Sequence, residues 1–92
     1  MIVRILADGQ YRLEDGAGER LNDFDNECVA AVGDGDETRF RGAFDSLLEL
    51  VRSEGERLAD DELEESDLIL PPADVTFEEA AAEFTGDGLI PD

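Results

Sequence analysis

The sequence predicts an α+β domain with the element order β-β-α-α-β-α. Three observations support this class. Apolar residues surround an Asp-Gly pair near the start, two segments in the middle have helical apolar periodicity, and an aliphatic run precedes a capped helix near the end. We expect a three-stranded sheet, antiparallel or mixed, packed against an α-helical hairpin and a short C-terminal helix. With 92 residues, positions 1–92 are expected to form one domain.

The opening segment, MIVRILADGQYRL, predicts a β-hairpin. Asp8 and Gly9 lie between two β-rich runs, and this dipeptide favours a type I′ turn because both central residues take a positive φ. The first strand has apolar side chains on both faces, with Val3 on one and Ile2 on the other. We therefore expect this strand at the centre of the sheet or covered on both sides.

Two amphipathic helices are predicted next. In the first, apolar side chains recur at helical spacing: Leu21, Phe24, Cys28, Ala31 and Val32. The second has the same pattern: Phe40, Phe44, Leu47, Leu48 and Val51. Gly33 or Gly35 can end the first helix, and Asp36 can cap the second, which should run from about Glu37 to Glu54. The short connection predicts a helical hairpin that stops at Gly55.

The last third of the chain combines a loop, a strand and a capped helix. Residues 55–65 are acidic and predict a surface loop. The run at 68–70 predicts a strand beside the hairpin, ended by Pro71 and Pro72, which have no amide hydrogen to donate. Thr76 and Glu79 match a capping box before a helix of about two turns, which Gly86 or Gly88 would close.

The charge of the chain is strongly negative. Twenty-six acidic residues face seven arginines, there is no lysine or histidine, and the net charge is −19. Self-repulsion of this size destabilises a compact state unless salt screens it, and at 1 M salt the Debye length is only about 3 Å. The composition thus predicts adaptation to a multimolar-salt cytoplasm. The alternative is an acidic decoy that binds a basic nucleic-acid-binding protein. Direct binding to nucleic acid or to an anionic membrane is disfavoured, because no basic cluster exists.

Catalytic chemistry finds little support in the sequence. Cys28 lies on the apolar face of a predicted helix, so we expect a small buried residue rather than a nucleophile, and a single cysteine cannot form an intrachain disulfide. Without histidine or lysine, the usual pairs of nucleophile and base are missing. We predict no catalytic residues and no cofactor. A small enzyme remains a third hypothesis, and it would need a carboxylate with a perturbed pKa in a pocket.

Two acidic clusters resemble the first ligands of an EF-hand loop. They are Asp23, Asp25 and Glu27 in one case and Asp34 and Asp36 in the other. The glycine that an EF-hand loop requires at its sixth position is replaced in both, by Cys28 and by Arg39. We therefore predict no dedicated metal site.

Four residues are candidates for binding a partner protein: Tyr11, Arg12, Leu89 and Ile90. Aromatic and arginine side chains are enriched at protein interfaces. The alternatives are local ion pairs for the arginines and a docked tail for residues 89–90. The run Leu68–Leu70 is interpreted as core, although it could also be an edge that accepts a strand from another protein.

Four segments together resemble the PspA-associated PspAA family: MIVRILADGQYRL, the helical hairpin with FRGAFDSLLELVRSEG, DDELEESDLILPPADVTFEEA and the closing GDGLIPD. The resemblance covers essentially the whole chain and is most specific at the start, at SDLILPPADVT and at GLIP. EDGAGERLNDF is more polar than the family pattern.

The resemblance implies a small non-enzymatic adaptor or regulator. It would act with PspA, a coiled-coil, membrane-remodelling protein of the phage-shock envelope-stress response, or with another phage-shock component. No catalytic or cofactor residues come with it, and self-association is left open. No apolar run is long enough for a signal peptide or a membrane span, so we expect a cytoplasmic protein that reaches a membrane only through its partner.

Overall fold

A computed structural model describes residues 1–59 and 64–84. The strands are β1 (Ile2–Ile5), β2 (Gly9–Arg12), β3 (Glu56–Arg57) and β4 (Leu68–Leu70). The helices are α1 (Gly18–Gly33), α2 (Glu37–Glu54) and α3 (Phe77–Glu83), with a short 3-10 turn, Asp15–Ala17, before α1. The predicted α+β class is confirmed.

The described part of the chain contains a four-stranded mixed sheet of order β3-β2-β1-β4, so the expected three strands become four. β1 pairs with β2 antiparallel and with β4 parallel, which places it centrally as predicted. The additional strand, β3, has only two residues and lies within the segment predicted to be a loop. β3 pairs with the edge of β2, with Arg57 opposite Tyr11. This pairing forms the strand although its two residues show no alternation of apolar and polar side chains.

The turn between β1 and β2 differs from the predicted type I′ turn. Ile5 pairs with Gly9, so the loop has three residues, and the positive φ falls on Ala7 at 67°. A two-residue turn at Asp8-Gly9 would place Val3 opposite Glu14, whereas the observed register places it opposite Tyr11. Val3 and Tyr11 are both buried in the core, and burial of this pair sets the register.

The helical hairpin forms as predicted. The Asp36 side chain accepts a hydrogen bond of 3.0 Å from the backbone amide of Arg39, and Gly35 has a φ of 68°. The apolar faces of α1 and α2 join the inner face of the sheet in one core. Its largest fully buried apolar side chains are Ile5, Leu21, Phe40, Phe44, Leu47, Leu48, Leu70 and Phe84.

Helix α3 begins with the predicted capping box between Thr76 and Glu79 and is seven residues long. Phe84, which follows it, lies 5.5 Å from the Phe40 ring and 5.9 Å from the Phe44 ring, measured between centroids. This edge-to-face packing fixes α3 against α2. Gly86 and Gly88, predicted to end the helix, lie outside the described residues.

Gly55 lies where the end of α2 meets strand β2. A Cβ atom at this position would lie 2.4 Å from the backbone oxygen of Val51 and 3.0 Å from the Cβ of Tyr11. Only glycine allows this approach, which directs the chain from α2 straight into β3.

Candidate functional site

Cys28 is fully buried in α1, as predicted. Burial, together with the nearby negative charges of Asp25 and Glu27, raises the pKa of its thiol to about 12. The thiol is therefore protonated at neutral pH, and the thiolate that acts as a nucleophile is not formed.

Three of the acids that resemble EF-hand ligands have structural roles. Glu27 and Asp34 hold the guanidinium of Arg39, at 2.5 Å and 2.9 Å, and Asp36 caps α2. The hydrogen bond from Arg39 lowers the pKa of Glu27. Asp25 is fully buried in α1. Among the residues that the structure describes, no group of three or more His, Cys, Asp or Glu could hold a metal ion.

A charged cluster joins the hairpin loop to the end of α2 and to β3. It consists of Asp8, Tyr11, Arg52 and Arg57, and we call it the Asp8 junction. The Asp8 carboxylate accepts from Tyr11 Oη at 3.1 Å, from Arg52 Nε at 3.0 Å and from Arg57 Nη1 at 2.9 Å. Its backbone oxygen accepts from Arg57 Nη2 at 3.0 Å. Burial raises the pKa of Asp8, but the hydrogen bonds and positive charges outweigh it and hold that pKa below its ordinary value.

The predicted partner-binding residues occupy different environments. Tyr11 is only 6% exposed, and its ring lies beneath the guanidinium of Arg57. Arg12 is exposed and forms an ion pair of 2.6 Å with Glu64. Leu89 and Ile90 lie outside the described residues. A role in partner binding for these four residues stays a prediction.

The outer face of the sheet is divided into a covered half and an open half. Over the covered half, Gln10 Nε2 donates to the backbone oxygen of Glu64 and to Ser66 Oγ, both at 2.8 Å, and the Ile2 amide donates to Asp67 at 2.8 Å. Together with the Arg12–Glu64 ion pair, these bonds hold residues 64–67 against β1 and β2.

The open half contains Arg4, Leu6 and Ile69, which we call the Arg4 patch. Arg4 and Ile69 are register partners on β1 and β4, and Leu6 shares a shallow depression with Arg4. Leu6 is 44% exposed and Ile69 is 54% exposed, and these are the large apolar side chains that the described structure leaves in solvent. The expectation that Leu68–Leu70 is core holds for its first and last residues, whereas Ile69 points outward.

A second apolar depression lies between α1 and α2 and measures about 530 Å³. Phe24 and Leu50, both half-buried, contribute its apolar surface, and Asp45 and Glu49 lie beside them. Its charged groups are therefore carboxylates.

None of the helices in the described part of the chain has both the length and the apolar character needed to cross a bilayer.

Comparison with known families gives one match. The family model described as PspA-associated protein, PspAA, covers residues 1–92. The chain belongs to the PspA-associated protein family. No curated protein and no solved structure matches it significantly. The resemblance noted in the sequence is thus confirmed, and the PspAA family name indicates a role alongside PspA.

Proposed function

We propose that this PspAA protein is a non-enzymatic adaptor that binds a PspA-like coiled-coil protein and biases its assembly during envelope stress. The observation that carries the proposal is the family match, which extends over the whole chain. Two groups that could carry chemistry, the Cys28 thiol and the Asp8 carboxylate, are occupied by the fold, and this favours adaptor activity over a catalytic role beside PspA. The thiol is buried and protonated, and the acid with three side-chain donors, Asp8, holds the fold together.

The proposal includes the environment in which the adaptor works. With a net charge of −19, the folded chain gains from salt that screens repulsion between its carboxylates. We propose a high-salt cytoplasm as its compartment, with recruitment to the membrane through the partner.

Co-purification tests this function directly. The tagged protein is expressed in its own organism, lysed in multimolar KCl and crosslinked, and bound proteins are identified by mass spectrometry. We expect the PspA-like protein of that organism to be enriched over a tag-only control. Failure to recover any PspA-like protein, with the bait intact, would overturn the proposal.

The same experiment separates the adaptor from an acidic decoy. Binding of a decoy to a basic domain depends on long-range charge attraction, so it should disappear in multimolar salt. Binding through apolar contacts should persist or strengthen in such salt. Enrichment of basic nucleic-acid-binding proteins at low salt alone would identify the decoy.

A further inference from the structure

We propose that the Arg4 patch is the surface that binds the PspA-like partner, and that it takes a helix face on which a carboxylate lies beside aliphatic side chains. This inference rests on the proposed function and names the surface that performs it. The chain has seven arginines, and their partners distinguish Arg4 from the other six.

Six of the arginines bind other groups of the same chain. Five pair with carboxylates, and Arg41 donates to the backbone oxygens of Ala73 and Val75. The five are Arg12, Arg20, Arg39, Arg52 and Arg57. Within the described residues, Arg4 makes no hydrogen bond or ion pair, although the chain carries 26 acids. A guanidinium left unpaired in such a molecule is available to a carboxylate from another molecule.

The neighbours of Arg4 make the patch amphipathic. Ile69 lies beside Arg4 on β4, and Leu6 lies two positions after Arg4 in the sequence. An exposed isoleucine and an exposed leucine beside a guanidinium that no other described residue binds combine apolar contact with charge recognition, as is common at the centre of protein interfaces. Depressions of about 200 Å³ and 430 Å³ flank Leu6 and extend the contact area toward Gly9 and toward Pro72.

The spacing of the patch suits a helix. Adjacent strands lie about 4.8 Å apart, and residues two apart on a strand are separated by about 6.7 Å. The first spacing relates Arg4 to Ile69, and Leu6, one residue beyond the end of β1, lies at most about 7 Å from Arg4 along the chain. A helix presents residues three and four apart at about 5–6 Å, so one or two turns can place an acid on Arg4 and aliphatic groups on the other two. A coiled-coil protein offers such helix faces along its length.

Two alternative occupants fit less well. In a two-fold symmetric pair of these chains, the patch would meet its own copy and bring two Arg4 guanidinium groups together. The depression between α1 and α2 would accept a basic helix, because Asp45 and Glu49 flank its apolar surface. A dimer would support the first alternative, and sensitivity of binding to a change at Leu50 would support the second.

The test measures the affinity of the purified protein for the PspA-like protein of its organism in about 2 M KCl, a salt that screens long-range charge effects. Arg4→Glu removes the cation, and Ile69→Thr removes apolar area while keeping a β-branched side chain in the strand. Arg20→Glu, on the exposed side of α1, makes the same change in net charge away from the patch. Leu50→Gln probes the depression between the helices. Circular dichroism verifies that each variant is folded.

We expect Arg4→Glu to raise Kd by more than about tenfold and Ile69→Thr by about three- to tenfold. Arg4→Lys should retain part of the affinity, because it keeps the charge but loses the planar fork. Arg20→Glu and Leu50→Gln should stay within about twofold.

The outcomes separate the two proposals. If the wild-type protein does not bind the PspA-like protein at all, the proposed function fails and the inference fails with it. If it binds and Arg4→Glu behaves like Arg20→Glu, only the inference fails. Loss of binding in Leu50→Gln alone would move the site to the helices. A dimer in sedimentation that Arg4→Glu dissociates would assign the patch to a second copy and overturn the inference.

Discussion

The Asp8 junction and the Arg4 patch lie at the same end of the β1–β2 hairpin, yet they use arginine in opposite ways. At the junction, Arg52 and Arg57 both bind the Asp8 carboxylate, although they lie 44 and 49 positions after Asp8 in the sequence. In the patch, Arg4 lies between two exposed apolar side chains and binds no group of the described chain.

The contrast shows how a chain with seven arginines and no lysine distributes its cations. The junction uses two arginines to hold the hairpin loop against α2 and β3, so both guanidinium groups stabilise the fold. Within the described residues the patch leaves its arginine unpaired, so the guanidinium is offered to another molecule. The comparison therefore predicts large stability effects around the junction and small ones in the patch.

The largest effect is expected where α2 reaches the junction, at Gly55. Gly55→Ala would force a Cβ to within 2.4 Å of the Val51 backbone oxygen, a contact that only a backbone shift can relieve. We expect a loss of about 2–4 kcal/mol in the free energy of unfolding, measured by urea denaturation in high salt.

Gly42→Ala is the matched control for that change. Gly42 lies in α2, and nothing lies within 4 Å of a Cβ built there. Alanine is the better helix former, so this variant should gain about 0.5–1 kcal/mol. Equal effects at the two glycines would show that the fold does not require a residue without a Cβ at position 55.

The second effect concerns Asp8 itself. Asp8→Asn keeps the shape of the side chain but removes the charge that Arg52 and Arg57 share. We expect the free energy of unfolding to fall by about 1–2 kcal/mol near neutral pH. The expected loss is no larger because both arginines are about half exposed, so solvent screens their charges. Urea denaturation of both proteins at the same salt concentration measures it.

The pH dependence of that loss follows from the lowered pKa of Asp8. A carboxyl whose pKa is lower in the folded state contributes stability above its unfolded pKa of about 3.9, and that contribution disappears as the pH falls through the folded value. The difference between wild type and Asp8→Asn should therefore be largest above pH 5 and shrink below about pH 4. A difference that stays constant over this range would exclude the carboxylate charge as its source.

Local patterns were enough to predict much of the fold. The limits of α2 follow from the Asp36 cap and Gly55, and the start of α3 follows from Thr76 and Glu79. Each of these features acts within a few residues of the chain. The prediction of a type I′ turn at Asp8-Gly9 was wrong. The register of the hairpin depends on burying Val3 opposite Tyr11, and the Asp-Gly dipeptide carries no information about that pair.

The two charged regions could not be predicted because they depend on contacts between distant segments. The donors of Asp8 come from α2 and β3, and β3 was itself missed because two residues give no periodicity. Arg4 and Ile69 become a patch only because residues 64–67 cover the other half of the sheet. The alternation Leu68-Ile69-Leu70 could have indicated one outward side chain, but not which residue would lie beside it.

The smallest effect is expected at Arg4. Because its guanidinium binds no group of the described chain, Arg4→Ala should change the free energy of unfolding by no more than about 0.5 kcal/mol in high salt. Arg12→Ala, which removes the exposed ion pair with Glu64, should cost slightly more, up to about 1 kcal/mol. The two variants are compared by thermal and urea denaturation with Asp8→Asn on the same scale. If Arg4→Ala destabilised the protein as much as Asp8→Asn does, Arg4 would belong to the fold, and the contrast between arginines that hold the chain and the arginine left for a partner would collapse.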